Sequence, residues 1–295
     1  MVKLKILLLG GNGFTGKFVC KELKKRNIDF HCLIRSGNDT SWLRKNKVNF
    51  MIGDINNKDD LTKSLSGCNA LINMASLAFV DVESILKCSL QNNIERLIFI
   101  SSTSIFTKLN AKSKKIRLKS ENYITSSNLN WTILRPTMIF GTPEDRNLIK
   151  IISWIKKYPI IPIPGDGKAL QKPIYVEDLS WAIVESLLEP NTIKKTINIS
   201  GKDNISYLDM INIIEKKLNK NILKLYISKR FSIAFAELFE FLKLYFPLKA
   251  EQIRRINEDK LFSNSDAINI IKYSPKSFEK AIDIEIKIYQ RNNQS

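Results

Sequence analysis

The first half of the chain alternates between short apolar runs and longer amphipathic stretches. The runs are too short for helices and too uniformly apolar for exposed strands, which predicts strands buried on both faces. The predicted strands are Lys5–Leu9, Phe30–Ile34, Val48–Ile52, Ala70–Asn73, Arg96–Ser101 and Trp131–Leu134. Helical spacing of apolar residues predicts helices over Phe14–Arg26, Lys58–Leu65, Val82–Asn92 and Arg117–Ser126. This alternation predicts an α/β fold with a doubly wound parallel sheet and right-handed crossovers.

The pattern changes after Pro136, where prolines separate shorter elements and Pro164–Gly167 is typical of an exposed turn. A helix over Val176–Leu188, a strand over Thr196–Ile199 and a helix over Ser206–Leu218 are expected to return to the sheet and its flank. The remainder is mainly helical. We therefore expect a dinucleotide-type core over residues 1–140, and over 141–295 a mixed segment that returns to the sheet and forms a smaller, mostly helical, substrate-side region.

Three glycines at spacing three, Gly10, Gly13 and Gly16, follow the first predicted strand and open the first predicted helix. A missing Cβ permits a tight turn, a close approach of backbone to a diphosphate, and close packing of helix on strand. The free N–H groups and positive dipole end of the helix favour phosphate. A simple structural turn is the alternative interpretation.

The run Gly10-Gly11-Asn12-Gly13-Phe14-Thr15-Gly16 resembles the Gly-x-x-Gly-x-x-Gly signature of the extended and atypical short-chain dehydrogenases/reductases. That superfamily includes NAD-dependent epimerases/dehydratases and NmrA-like proteins. Further marks recur in the family's order, namely Gly53-Asp54, Asn73-Met74-Ala75, Ile100-Ser101-Ser102-Thr103, Leu134-Arg135-Pro136 and Pro173-Ile174-Tyr175-Val176-Glu177-Asp178. The resemblance implies a Rossmann-type fold. It also implies a cofactor site that includes Gly10, Asn12, Gly13, Phe14, Thr15, Gly16, Ala75 and Pro136, with Asp54 bordering the adenine.

The residue after the second predicted strand decides which cofactor is expected. An acid there would bind both ribose hydroxyls of NAD, whereas a guanidinium favours the 2′-phosphate of NADP. The residue is Arg35, 19 positions after Gly16. We therefore favour NADP(H) over NAD(H). A solvated loop arginine with promiscuous nucleotide binding is the alternative.

The resemblance places Ser102 at the family's active-site hydroxyl, with Ser101 and Thr103 as competitors. These hydroxyls could equally serve only to complete a strand end. When Glu121 is aligned with the acidic residue that the family carries on this helix, Ser113 takes the tyrosine position and Arg117 takes the lysine position. The family's Tyr-x-x-x-Lys pair is therefore missing. Arginine is a poor proton donor at neutral pH.

Tyr123 and Lys119 are one helical turn apart but in the reverse order. This order presents the amine on the wrong side of the phenol, so Ser102, Thr103 and Arg117 remain the catalytic candidates. The resemblance implies hydride transfer to or from a carbonyl or carbinol carbon, with a nucleotide sugar favoured as the substrate. The alternative is a non-catalytic NADPH-binding subunit or redox-sensing regulator, similar to the complex I accessory subunit or the NmrA-like regulators.

Composition adds a formal net charge of +18, four cysteines and one histidine. The lysines are scattered over nearly every predicted helix and no nucleic-acid-binding motif accompanies them, so a solvated basic surface is expected rather than a nucleic-acid partner. The cysteines lack metal-type spacing, so we expect no metal site and a reduced, cytoplasmic location. The first apolar run is too short for a signal peptide, and no stretch has the length and apolar character of a membrane span. His31, in mid-strand, is expected to be a core residue.

The segment 231–247 is the most apolar predicted helix, and basic residues flank it. A lid over the substrate pocket or a helix in a homodimer interface would explain its apolar character. A peripheral membrane contact is the second interpretation.

Overall fold

The computed structural model of the protein describes residues 4–242 and 250–292. They group into two compact units. Unit 1 lies within Met1–Pro136, Val176–Ile199 and Ser263–Ser274, and unit 2 lies within Thr137–Tyr175, Ser200–Phe262 and Pro275–Ser295. Each unit is therefore built from more than one stretch of chain. The domain boundary expected at residue 140 stays a prediction.

Unit 1 is an α/β layer structure around one parallel sheet. Its strands are β1 (Lys5–Leu9), β2 (Asp29–Ile34), β3 (Phe50–Ile52), β4 (Ala70–Asn73), β5 (Arg96–Ile100), β6 (Trp131–Pro136) and β11 (Lys195–Ile199). Its helices are α1 (Phe14–Lys25), α2 (Ser41–Lys45), α3 (Lys58–Leu65), α4 (Val82–Gln91), α5 (Lys112–Thr125), α7 (Val176–Leu188) and α11 (Ser265–Ile271). Within the described residues the sheet has seven strands in the order β11-β6-β5-β4-β1-β2-β3. This confirms the Rossmann-type doubly wound prediction.

The central strands are apolar on both faces because helices cover both sides of the sheet. One face, with Leu7, Leu71 and Phe99, packs against apolar residues of α3, α4 and α5. α7 contacts β5 and β6 and packs along α1. Burial of both faces explains why the first, fourth, fifth and sixth strands could be recognised as uninterrupted apolar runs.

Helix α5 begins at Lys112, so the start predicted at Arg117 was wrong by five residues. The added turn reads Lys-Ser-Lys-Lys-Ile and carries no apolar stripe. Lysine is nevertheless a good helix former, so the backbone stays helical where periodicity gives no signal.

A buried arginine joins β5, β6 and α7. The guanidinium of Arg96 donates to Thr132 Oγ1 at 2.6 Å, Ser186 O at 2.7 Å and Thr192 Oγ1 at 2.6 Å. It also donates to the backbone oxygens of Leu97 and Asn130. Burial lowers the pKa of Arg96 to about 10. Carbonyl and hydroxyl oxygens thus compensate the desolvation of this cation.

Unit 2 is mixed and carries three short two-stranded pairings among its described residues. Its strands are β7 (Ile139–Phe140), β8 (Ile160–Pro164), β9 (Leu170–Gln171), β10 (Ile174–Tyr175), β12 (Ile205–Ser206) and β13 (Leu223–Ile227). Its helices are α6 (Leu148–Lys157), α8 (Tyr207–Lys217), α9 (Lys229–Phe241), α10 (Ala250–Ile256) and α12 (Phe278–Asn292). β7–β10 and β8–β13 are parallel pairs, whereas β9–β12 is antiparallel. The expected helical character of this part is confirmed.

One range of interest lies partly outside the described residues. The predicted helix over 231–247 is described only as far as residue 242, and residues 243–247 fall outside.

Across 4–242 and 250–292, no helix is long and apolar enough to cross a membrane. The same ranges contain no cluster of three or more His, Cys, Asp and Glu side chains suited to a metal ion.

Two carboxyl groups meet inside unit 2. Glu285 on α12 is fully buried, and its carboxyl group lies near that of Asp145. No side-chain donor among the described residues reaches either Glu285 oxygen. Burial disfavours the charged carboxylate, and together with the neighbouring Asp145 carboxyl it raises the pKa of Glu285 far above its ordinary value.

We expect Glu285→Gln to flatten the pH dependence of stability. The folded protein retains a proton on Glu285 that the unfolded chain releases near pH 4.5. The free energy of unfolding of the wild type should therefore fall as the pH rises above 4.5. The steepest slope should be about 1.4 kcal/mol per pH unit. Urea unfolding between pH 5 and 8 measures this. Glu279→Gln, on the partly exposed side of the same helix, should keep the wild-type slope. Equal slopes for wild type and Glu285→Gln would contradict retention of a proton on Glu285 in the folded protein.

Candidate cofactor site

The turn between β1 and α1 brings two backbone segments closer than side chains allow. Gly10 has φ of +79°, and the N–H of Gly13 donates to Gly10 O at 3.2 Å. A Cβ on Gly16 would lie 2.1 Å from Gly10 O. Glycine is therefore required at Gly16 for the first turn of α1 to rest on the end of β1.

The N-terminus of α1 has the features of a phosphate site. Gly13 is the N-cap residue with extended backbone, no side chain caps the helix, and its first turn holds no acid. A Cβ on Gly13 would have one neighbour within 4 Å, Gly10 O at 3.4 Å, so the space beside this residue is open. Asn12, Phe14 and Thr15 flank it and are partly exposed. This cradle fits the diphosphate of a dinucleotide.

The loop after β4 lies against the glycine turn. Asn73 is fully buried. Its side-chain amide donates to Ala75 O at 3.1 Å, and its Oδ1 accepts the N–H of Ala75 at 3.2 Å. A Cβ on Gly10 would lie 3.2 Å from the nitrogen of Ala75. The structure thus brings Ala75 to the glycine turn, and Asn73 is the residue that fixes it there.

Arg35 and Asp54 come together at the carboxyl ends of β2 and β3. Arg35 Nε lies 3.5 Å from Asp54 Oδ2, and the Arg35 side chain is 74% exposed. Asp54 also accepts the N–H of Asn56, while its own N–H donates to Asp60. Sequence reasoning gave the two residues separate roles and did not anticipate this ion pair.

The hydroxyls after β5 have different partners. Ser102 caps the 3₁₀ turn Thr103–Phe106 by accepting the N–H of Ser104 at 3.1 Å. Thr103 is buried and donates to Pro136 O at 3.1 Å, which ties the ends of β5 and β6 together. Ser101 Oγ is buried without a hydrogen-bond partner among the described residues. Ser102, partly exposed, is the hydroxyl best placed to face a ligand.

Arg117 projects from α5 toward the same edge of the sheet. Its guanidinium lies 3.4 Å from Ser76 Oγ in the loop after β4 and 3.5 Å from Ser104 Oγ after β5. Sequence reasoning missed both serines, although each follows a motif it had marked. The carboxyl ends of parallel strands share one edge, so Arg117 lies on the side of the sheet that carries the glycine turn.

Neither partner of the reversed pair reaches this edge. Tyr123 is 41% exposed on α5, and Lys119 lies over its ring at 5.7 Å. Glu121 is buried and forms a two-contact ion pair with Arg135 of β6, one contact being 3.0 Å from Nε to Oε1. Glu121 and Arg135 therefore hold α5 on the sheet.

The remaining sequence candidates are structural. His31 lies in mid-strand with Nε2 2.8 Å from Ser64 O, and burial lowers its pKa. Beneath the glycine turn, Cys20 Sγ and Cys32 Sγ are 3.9 Å apart, and a Cβ on Gly11 would lie 2.4 Å from Cys32 Sγ. The hydrogen bond with Cys20 and burial both raise the pKa of the Cys32 thiol. These two buried thiols pack under the glycine turn, and burial makes them unreactive.

Comparison with known proteins assigns the site's class. Residues 10–153 match the family model described as NAD(P)H-binding. The chain carries an NAD(P)H-binding domain. The match confirms the predicted NAD(P)-binding character of the glycine turn's domain, and the matched range begins at Gly10.

Relatives with curated names include an NADH dehydrogenase subunit and an isoflavone reductase homolog. NADH dehydrogenase (ubiquinone) 1 alpha subcomplex subunit 9, mitochondrial, of Mus musculus is 25% identical over 229 residues, which cover 70% of this chain and 59% of that protein. An isoflavone reductase homolog of Nicotiana tabacum is 26% identical over 249 residues, covering 77% and 78%. The chain thus matches about 60% of the length of the mouse subunit.

A solved structure is similar over nearly the whole chain. The UDP-glucuronic acid 4-epimerase of Bacillus cereus in complex with NAD has a TM-score of 0.77 at 20% identity and covers 98% of this chain and 99% of its own. At this identity the likeness supports the fold.

We expect Gly13→Ala and Gly16→Ala to separate cofactor binding from folding. Alanine at Gly16 meets Gly10 O and should lower the free energy of unfolding by about 2–3 kcal/mol. Alanine at Gly13 fits its space, so stability should change by less than about 1 kcal/mol. The new methyl group should nevertheless weaken nucleotide binding about tenfold, because it occupies the diphosphate's approach.

Urea unfolding and titration of nicotinamide fluorescence measure the two effects. Wild-type affinity in Gly13→Ala would contradict the placement of the diphosphate at this helix end.

Proposed function

We propose that this protein binds NADP(H) at the glycine turn and transfers hydride between the nicotinamide and a carbonyl or carbinol carbon. The observation that supports this most is the position of Arg117, which the hydroxyls of Ser76 and Ser104 flank at the edge of the sheet that carries the turn. A fixed cation at this edge can stabilise negative charge that develops on a substrate oxygen.

The preference for NADP(H) rests on Arg35. Its guanidinium is exposed at the end of β2, and Asp54 contacts it at the Nε edge. A 2′-phosphate can then bind the terminal nitrogens, as planar guanidinium groups bind phosphate. Asp54 orients the arginine and borders the adenine in this arrangement.

The glycine turn and Arg35 would hold the dinucleotide, which would supply the hydride for reduction of a carbonyl carbon, with a proton from water completing the alcohol. Ser102 donates a hydrogen bond to the substrate oxygen, and Arg117 stabilises its charge. Arginine keeps its proton at neutral pH, so its contribution is electrostatic. The favoured substrate class is a nucleotide sugar, a small-molecule ligand in keeping with the epimerase-like fold, and the favoured location is the cytoplasm.

We expect Arg35→Asp to weaken NADPH binding about 10- to 100-fold, because the charge-assisted hydrogen bonds to the 2′-phosphate are lost. NADH binding should change little. Fluorescence titration with both nucleotides measures this, and Lys25→Asp provides the control, since Lys25 has a 77% exposed side chain at the other end of α1. Parallel losses for NADH and NADPH would contradict discrimination by Arg35.

A second candidate function is non-catalytic binding of NADPH, as a subunit or redox-sensing regulator. It is favoured by Ser113 and Arg117 at the family's tyrosine and lysine positions and by the outward position of Tyr123. The similarity to the mouse NADH dehydrogenase subunit also supports it.

Turnover separates the two functions. If the protein is a reductase or epimerase, NADPH consumption or isomer formation should occur with some nucleotide sugars or carbonyl compounds. Arg117→Gln should then lower kcat about 100-fold with less than about threefold change in the NADPH dissociation constant. Tight NADPH binding without turnover across the screen would instead establish the non-catalytic function. Wild-type kcat in Arg117→Gln would remove the electrostatic role.

A further inference from the structure

Helix α9 of unit 2 presents a continuous apolar stripe to solvent. Phe231, Phe235, Leu238 and Leu242 follow one another at spacings of four, three and four, so they lie on one face, and Phe241 lies beside them. Phe231 is 75% exposed and Phe241 83% exposed, and the other three are about half exposed. We call these five residues the α9 stripe. Contiguous apolar patches of this kind are uncommon on surfaces that face only water.

The other side of α9 is already covered. Ala236 is fully buried against Ala250 and Ile253 of α10, with Ile233 packed beside them. The stripe is therefore not needed to attach the helix to unit 2.

The acids of α9 are engaged with α10. Glu237 pairs with Arg254 at 2.5 Å, and Glu240 accepts the N–H of Ala250 at 2.8 Å. Both carboxylates thus lie toward α10, and the stripe keeps its apolar side free of negative charge. Two exposed cations, Lys229 and Arg230, stand at its N-terminal end.

The chain just before the helix continues this character. Strand β13 ends one residue before the N-cap of α9, and it exposes Leu223, Leu225 and Tyr226. The stretch from residue 223 to 242 therefore concentrates large exposed apolar side chains in twenty positions of unit 2.

We propose that the α9 stripe binds the surface of an anionic lipid bilayer, with the helix axis in the plane of the interface. Aromatic and leucine side chains on one face and cations at the end are the combination by which interfacial helices bind such surfaces. The net charge of +18 adds long-range attraction to anionic headgroups. The same charge opposes a second copy of the chain, because two copies would bring like charges together.

Cosedimentation with vesicles tests this. Wild-type protein should bind vesicles of phosphatidylcholine containing a third phosphatidylglycerol, bind pure phosphatidylcholine much more weakly, and lose affinity as salt rises. Phe231→Ser with Phe241→Ser should weaken binding at least about tenfold, because two phenyl groups no longer leave water. The matched control is Phe79→Ser with Leu90→Ser, which removes similarly exposed apolar side chains from unit 1 and should leave binding unchanged.

A labelled cysteine gives a second readout. All four native cysteines are buried, so Phe241→Cys can be labelled selectively with an environment-sensitive fluorophore. Its emission should shift to the blue with anionic vesicles. No vesicle binding by wild type, or equal binding by the stripe and control variants, would overturn the proposal. A wild-type dimer in light scattering that the stripe variant converts to monomer would also overturn it, since a second copy would then cover the stripe. None of these measurements depends on nucleotide binding or turnover.

Discussion

The close approach of α1 to β1 is the constraint on which the rest of unit 1 depends. A helix can aim its N-terminus across the end of a parallel strand only if the turn between them has no side chain in the way. Gly16 meets that requirement against Gly10 O, and Gly10 in turn leaves room for the loop that Asn73 builds. Three backbone segments therefore meet at one edge of the sheet, and the polar groups of the site lie along that edge.

The charged groups of this edge divide into fixed and exposed ones. Glu121 is buried, Arg135 is 20% exposed, and the pair holds α5 on β6, whereas the side chain of Arg35 is 74% exposed and contacts Asp54 through Nε. A rigid ion pair thus supports the site, and an adaptable one faces the ligand. The contrast follows from burial, because a desolvated pair needs near-ideal geometry while an exposed pair contributes at most about 1 kcal/mol and can yield to a phosphate.

Most of the fold of unit 1 could be predicted from the sequence, since strands buried on both faces and helices with one apolar stripe have distinct periods. The start of α5 could not, because Lys112 to Lys115 has helix propensity but no apolar pattern. In unit 2, β8 and β13 escaped recognition since Pro162 and Pro164 lie in one strand and the other leaves apolar residues exposed. Such edge strands carry little of the signal that burial imposes.

The sequence motifs identified most residues of the candidate site. Their spacing along the chain did not predict which of these side chains contact each other. The contact of Arg35 with Asp54 joins residues on different strands, and that of Arg117 with Ser76 spans 41 positions. Only the order of strands in the sheet brings such residues together. A single sequence shows which loops share an edge but not which side chains touch across it.

The burial of Arg96 has a consequence for how the chain is made. Its acceptors include Ser186 O and Thr192 Oγ1, which lie in the segment that returns to unit 1 after the first stretch of unit 2. When only the first six strands have been synthesised, the Arg96 guanidinium still lacks its acceptors Ser186 O and Thr192 Oγ1. The amino-terminal half is thus an unfinished domain until the chain has been synthesised as far as Thr192.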